Sequence, residues 1–416
     1  DDNLVPGTLR WALRTGDNTP RTILFAVNGT IYLESKLKTN HDNVSILGQS
    51  APGGGICITG YPVNITNRNY IIRYIRFRAG EVPALESDGN VSFSALGIEN
   101  AAEILLDHCS VTWSMEECLT MFDNEVTTVQ HCIIGEGLYH SYNVKTSSES
   151  SGRGFAMQWG GEKSNMHHVL ITNCNGRAPR FNGVRGESPW LPGEGKAHAH
   201  DMEVDGDFAN NVIHNWGGGS TSYYGGELFK YRFANAPADV KPYNRVYMRN
   251  NYFRPGPSTQ INGRNNRYFI NASGDSEDQV GEWYLQGNKF EKSGTFTPSG
   301  TYWSDSNIDI VNNNNTYGFA SGENYSARAL NLGQGYKSHI MAEIPYALSG
   351  YAPVSAEQAL AEGTDAVRGA GANLPRYDEV DQRLVDQAAG RVKTYHQGSR
   401  ATNASSHPGI IDNPYD

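Results

Sequence analysis

The chain has 416 residues, 34 basic against 44 acidic side chains and a net charge of −10, with 38% hydrophobic and 19% charged residues. That balance excludes a general attraction to polyanions, so no nucleic-acid partner is expected, and an acidic ligand would need a local basic patch or a bridging cation. No apolar run approaches the roughly 18 residues of a membrane span, and five scattered cysteines without metal-type spacing indicate neither a disulfide framework nor a zinc site.

In chain order, GTLRWALRTG (7–16) reads as a short helix whose Leu9, Trp11 and Leu13 can cover the open end of a stack. From residue 21 to about 315, short β-type runs end in Asn, Gly or Ser clusters and are followed by loops of unequal length. Aligning these runs puts Cys109, Cys132, His168, Asn211, Asn251 and Asn288 at one equivalent position, with gaps of 23 to 43 residues. This is a degenerate repeat with insertions. Ile75 and Phe77 alternate with Arg76 and Arg78, the period of a strand buried on one face. Stacking such units in parallel buries the inward residues and lets Asn amides pair between coils. The expectation is an all-β protein: a right-handed, single-stranded parallel β-helix over residues 1–340, with a short N-terminal capping helix. Even hairpin spacing or a blade repeat, which a sandwich or propeller would show, is missing.

Beyond residue 340 the character changes. Ser355 and Gln358 form a capping-box pattern opening a helix to about 368, and Asp378 to Ala389 reads as a second helix stopped by Gly390. Residues 341–416 are expected to pack along the coils as a tail, not an independent domain, with 391–416 as loop.

Three stretches carry a resemblance. They are PGTLRWAL with ILFAVNGTIYL and NVSILGQSAPGGGICITG; ILLDHCSVTWSMEE; and MHHVLITNCNGRAPRFN followed by FANNVIHNWGGG, YYGGE and MRNNYFRPGP. Together, over roughly residues 5–390, they resemble the pectate lyases of polysaccharide lyase family one, in the bacterial branch with a WSxDE-like segment. The resemblance implies calcium-assisted cleavage of α-1,4-linked polygalacturonate, an acidic polysaccharide, by removal of the C5 proton and loss of the C4 oxygen. That proton is weakly acidic, so positive charge must offset the carbanion as it develops.

The resemblance assigns the base to Arg177, the first Arg of an Arg-x-Pro-x-x-Arg motif, in RAPRFN. Asn182 replaces the motif's last Arg, so Arg180 or Arg185 would take over its substrate-carboxylate contact. Free arginine stays protonated to above about pH 12, and use as a base requires a site that lowers this. For calcium the resemblance points to Glu116 and Glu117 of WSMEE and to an acid on the preceding strand. Ser94 stands at that second position, so Asp88 or Glu99 would substitute. A further substrate cation is Lys145 or Arg153. His198, His200 and Tyr224 are candidate sugar contacts. Asp107 with His108, and His167 with His168, sit where coils stack and read first as hydrogen-bonded structural groups.

Two other readings compete. One is a pectin lyase acting on methyl-esterified polymer without calcium, and the other a non-catalytic glycan-binding solenoid. A glycosidase would need a convergent carboxylate pair, which no repeat suggests. The chain is expected to be a secreted or periplasmic monomer, its signal peptide already removed.

Overall fold

The computed structural model describes residues 2–81, 93–139, 153–181, 203–217, 222–225, 243–259, 270–272, 282–291, 293–296, 301–304, 344 and 351–394. Among these residues the coil strands form two nine-stranded sheets and one eight-stranded sheet, successive coils giving one strand to each, and Ser293–Phe296 with Thr301–Ser304 form a separate two-stranded antiparallel pair. One coil runs through Ala102–Asp107, Ser110–Thr112 and Glu117–Phe122; the next through Glu125–Gln130, Ile133–Gly135 and Phe155–Trp159; a third through Glu162–His167, Leu170–Thr172 and Arg180–Phe181. All pairings within the three sheets are parallel, as in Leu106↔Val129↔Met166 and Val111↔Ile134↔Ile171. The molecule is a parallel β-helix.

Turns from the first sheet to the second pass through a left-handed residue: Tyr74, His108, His131, His168, Asn210 and Asn250, with φ between 51° and 56°. Such angles are uncommon outside glycine, and the same corner recurs from coil to coil. The residue after each corner points inward. Asn211, Asn251 and Asn288 form a ladder there: Asn211 Nδ2 donates to Asn251 Oδ1 (3.1 Å) and Asn251 Nδ2 to Asn288 Oδ1 (2.8 Å). The same oxygens accept from the backbone N–H of Asn211 and Asn251 at 2.9 and 3.0 Å, satisfying donors that no strand can reach. Upstream the inward column is Val169, Cys132 and Cys109, with the Cys109 N–H donating to Cys132 Sγ (3.3 Å). His168 therefore sits one residue before the column that the sequence alignment gave it. The sheet register pairs Gln130 with His167 and fixes the slip.

Helix α1, Leu9–Arg14, is capped by Thr8, whose hydroxyl accepts from the Trp11 N–H at 3.2 Å. Leu9 and Leu13, one helical turn apart, enter the core, while Trp11 is 38% exposed and does not cover the stack. Helix α2, Ala356–Gly363, starts at the Ser355 cap and ends five residues short of the sequence reading. Helix α3, Glu379–Ala389, has Asp378 as N-cap and Gly390 in the left-handed conformation at its end (φ 77°). Leu384, Val385 and Ala388 of α3 bury against Ile133, Leu170 and Val212 of the second sheet.

This packing revises the reading of Ile75–Arg78, which is buried on both faces. Arg76 donates to Asp381 Oδ2 (3.0 Å) and to the Gly54, Ala372 and Arg376 carbonyls (2.8, 2.6 and 2.7 Å). Arg78 donates to Asp378 and to Asp381 Oδ1 (2.8 Å). The arginines that looked solvent-facing are the seats of α3.

Candidate active site

The third sheet carries a cleft of 620 Å³ lined by Lys36, Asn64, Phe93, Ser94, Glu99, Glu116, Glu117, Thr120, Gln158, Arg153, Arg177 and Arg180, among others. Four cations and three carboxylates face it, so the described lining is net positive in a chain of net charge −10.

Register explains how residues far apart in sequence meet here. Glu117 opens the strand Glu117–Phe122 and stands opposite Phe155 in the next coil, while Thr120, Gln158 and Arg180 pair in consecutive coils. Arg153 comes from the end of the long insertion between Ile133–Gly135 and Phe155–Trp159 of one coil. The two ends of that insertion pass backbone to backbone, and a Cβ on Gly137 would lie 2.5 Å from the Gly154 carbonyl carbon. Arg177 occupies a left-handed turn (φ 53°) just before the strand Arg180–Phe181, and its carbonyl accepts from the Met157 N–H at 2.9 Å.

The charged groups form two crossed pairs. Arg153 donates through Nε and Nη2 to Glu116 Oε2, and Arg177 donates through Nη1 to Glu117 Oε1. Both guanidinium groups lie over the Phe155 ring, at 5.1 and 4.1 Å from its centroid. Glu117 Oε1 also accepts from Gln158 Nε2 (2.8 Å), whose Oε1 accepts from Arg180 Nη1 (2.9 Å). A continuous chain Arg177–Glu117–Gln158–Arg180 results. Glu116 and Glu117 are each 5% exposed, whereas the arginines reach farther into the opening.

Of the residues singled out from sequence, Arg177, Arg180, Arg153, Glu116 and Glu117 thus converge on one cleft. Ser94 is there too: the register Leu96↔Leu119, continued back two residues, sets it opposite Glu117, and it shares a 2.6 Å hydrogen bond with Thr120. Glu99 lines the same cleft. Asp88, Lys145, Arg185, His198 and His200 lie outside the described residues, as does Asn182, and Tyr224 falls on the strand Ser222–Gly225, whose side chains are likewise outside them.

Sequence reasoning passed over Lys36, Gln158 and Phe155. Gln158 was findable as a polar residue inside the apolar strand Phe155–Trp159. Lys36, just before the strand Leu37–Lys38 of the same sheet, has no local signal, because two coils separate it from the Glu117 strand.

No family model matches the chain. It is similar to proteins called "Probable pectate lyase C": 31% identical over 267 residues in Aspergillus terreus, 32% over 257 in Aspergillus fumigatus and 31% over 269 in Emericella nidulans. These alignments cover 63%, 61% and 62% of this chain and 51%, 48% and 54% of those proteins, so the chain spans about half the length of the relatives it matches. Among solved structures it is similar to a pectate lyase bound to hexasaccharide, at 14% identity and a TM-score of 0.40 over 81% of this chain and 69% of the other. Pectate lyase C from Erwinia chrysanthemi, at pH 9.5 with 30 mM Ca2+, gives 15% identity and a TM-score of 0.40 over 89% and 80%.

Proposed function

We propose that this protein is a pectate lyase that cleaves α-1,4-linked polygalacturonate by β-elimination, with calcium held at Glu116 and Glu117. The observation that carries the reading is the open cleft in which Arg153, Arg177, Arg180 and Lys36 gather on an otherwise acidic protein. A polymer with one carboxylate per sugar needs such a cationic track. The names of the relatives agree with it.

In this reading Arg180, Arg153 and Lys36 bind substrate carboxylates, and the planar guanidinium forks orient them bidentately. Arg177, held by Glu117 and the Phe155 face, first loses a proton to solvent, and its neutral guanidine then takes the proton at C5. The electrons of the broken C5–H bond form the C4=C5 double bond as the C4–O bond breaks, and the leaving oxygen takes a proton from water. Gln158 couples the base region to the binding region by touching both Glu117 and Arg180.

The cleft's ligand atoms suit a hard cation: carboxylates of Glu116 and Glu117, the Ser94 and Thr120 hydroxyls and the Gln158 amide oxygen, with no imidazole or thiolate among the lining residues. When bound, calcium supplies positive charge that offsets the substrate carboxylate as carbanion charge develops. A second reading has support as well. Both carboxylates already meet a guanidinium, which is the balance a calcium-independent pectin lyase would need.

A polymeric substrate that crosses no membrane supports a secreted or periplasmic site of action, and a cleft built within one chain supports a monomer. The contacts of α3 with the second sheet support counting the tail as part of the helical unit. The test is ultraviolet absorbance of the new conjugated double bond on polygalacturonate. Turnover that a chelator abolishes and calcium restores is the expected result. Full activity after chelation, with preference for methyl-esterified polymer, would select the pectin lyase, and no absorbance on either polymer would leave a glycan-binding solenoid.

A further inference from the structure

The corner between the first and second sheets holds a second group of chemistry-bearing side chains, apart from the cleft on the third sheet. His131, His167 and His168 each present one ring nitrogen, and these nitrogens all lie within 4.8 Å of one another. We propose that these three histidines form a binding site for a late first-row divalent ion, zinc in the first instance, with Glu362 as the carboxylate that orients His168.

The geometry begins with the backbone. His131 and His168 hold equivalent left-handed corners (φ 51° and 54°), so their rings stack at 4.8 Å in adjacent coils. His167, the last residue of its strand, turns its ring edge-on to His168 and places its Nδ1 3.0 Å from His168 Nδ1. Tyr351 lies flat on His167 at 4.5 Å and edge-on to His168 at 5.6 Å. From α2, Glu362 Oε2 lies 3.0 Å from His168 Nε2.

That carboxylate contact fixes the tautomer. With the proton on Nε2 and donated to Glu362, His168 keeps a lone pair on Nδ1 that points at His167, which is the carboxylate–histidine arrangement found behind metal ligands. His167 Nδ1 donates to that lone pair in the metal-free protein. Moving its proton to Nε2 frees a second nitrogen lone pair beside the first, and a small tilt of both rings makes the two converge on one cation about 2.0–2.1 Å from each. A tetrahedral ion with bonds of about 2.0–2.1 Å holds its nitrogens roughly 3.4 Å apart. One pair is already near that spacing, and the third nitrogen closes by rotation of a half-buried ring.

Imidazole nitrogens select zinc, nickel, copper or cobalt, whereas calcium and magnesium prefer oxygen. The charged neighbours do not compete for the ion: Asp107 is taken by Arg73 (2.6 Å) and His108 (2.6 Å). An ion here would tie three coil residues to α2, 194 residues from His168 in sequence.

The tag-free full chain, stripped of metal and dialysed, is titrated with zinc by calorimetry and with cobalt by visible absorption. One ion per chain is expected, with a rise in melting temperature. His167→Gln should abolish the binding, and Glu362→Gln, on a side chain 44% exposed, should weaken it by about 10- to 100-fold. The double variant Glu116→Gln, Glu117→Gln should bind zinc as the unaltered chain does. Absence of saturable zinc binding, or binding that survives His167→Gln, overturns the proposal. Should His167→Gln fail to fold, copper resonance on the unaltered chain decides: coupling to fewer than two nitrogens overturns the site, and so does an unchanged affinity in Glu362→Gln.

Discussion

Two regions of this molecule use the same chemistry, a pair of arginines held by a pair of carboxylates, toward opposite ends. Under α3, Arg76 is 1% exposed and Arg78 5%; Arg76 finds carboxylate or carbonyl partners for its nitrogens, and Arg78 spans Asp378 and Asp381 while lying 5.1 Å over Trp113. Beside them, Arg383 grips Glu136 through two hydrogen bonds of 2.6 and 2.7 Å. In the cleft, Arg153 and Arg177 lean on Glu116 and Glu117 from the rim of an open space and share one aromatic face. What separates the enclosed arginines from the cleft-facing ones is the cover above them, which the residue type does not reveal. A guanidinium roofed by a helix and locked to its carboxylates can only hold the fold. One that faces 620 Å³ of solvent can exchange partners for a ligand.

The comparison breaks most visibly at Asp381, which is fully buried and accepts from Arg76, Arg78 and Ser110. Asp381→Ala leaves two buried guanidinium groups undercompensated and should cost about 3–5 kcal/mol of stability in urea unfolding. A loss under about 1 kcal/mol would mean that solvent reaches this interface. Arg177→Lys should do the reverse. It keeps the charge, loses the fork and shifts the proton acceptor, so turnover should fall by about 10² or more while the unfolding midpoint stays near that of the unaltered chain. Near-normal turnover would remove Arg177 as the base.

A smaller effect is expected from Arg180→Lys, which should raise KM several-fold with little change in kcat, because binding and not proton transfer is lost. A fall in kcat matching that of Arg177→Lys would merge the two roles. The smallest effect concerns pH. Burial, the leading cause, pushes His214 from 6.5 down to about 3, between the Arg254 carbonyl and Thr394 of the tail. Its folded-state value is depressed, so its contribution is present above pH 6.5 and is lost as pH falls toward 3. His214→Gln should flatten the stability profile over that window, and an unchanged slope would refute the assignment.

Much of the architecture was legible along the chain. Short β-type runs closed by Asn and Gly, with Asn recurring at 211, 251 and 288, follow from a coil that must turn and satisfy its corner amides in every repeat. The cap at Ser355 and the stop at Gly390 are local backbone chemistry, and both stand where the sequence placed them. Arg177, Glu116 and Glu117 could be picked out because each lies in a contiguous motif.

Other features had no local signature. The pairs Glu116–Arg153 and Glu117–Arg177 join residues 37 and 60 apart across insertions of unequal length, so only strand register brings them together. The one-residue slip at His168 has the same cause, since a corner histidine and an inward one look alike until the partner strand is known. The burial of Arg76 and Arg78 depends on a helix about 300 residues downstream. Sequence by itself determined the repeat, its turns and a set of candidate site residues, because these follow from backbone sterics and side-chain chemistry acting over a few residues. Tertiary structure alone decided which charges face solvent, which are roofed over and which histidines converge, because those outcomes depend on the stacking of distant coils.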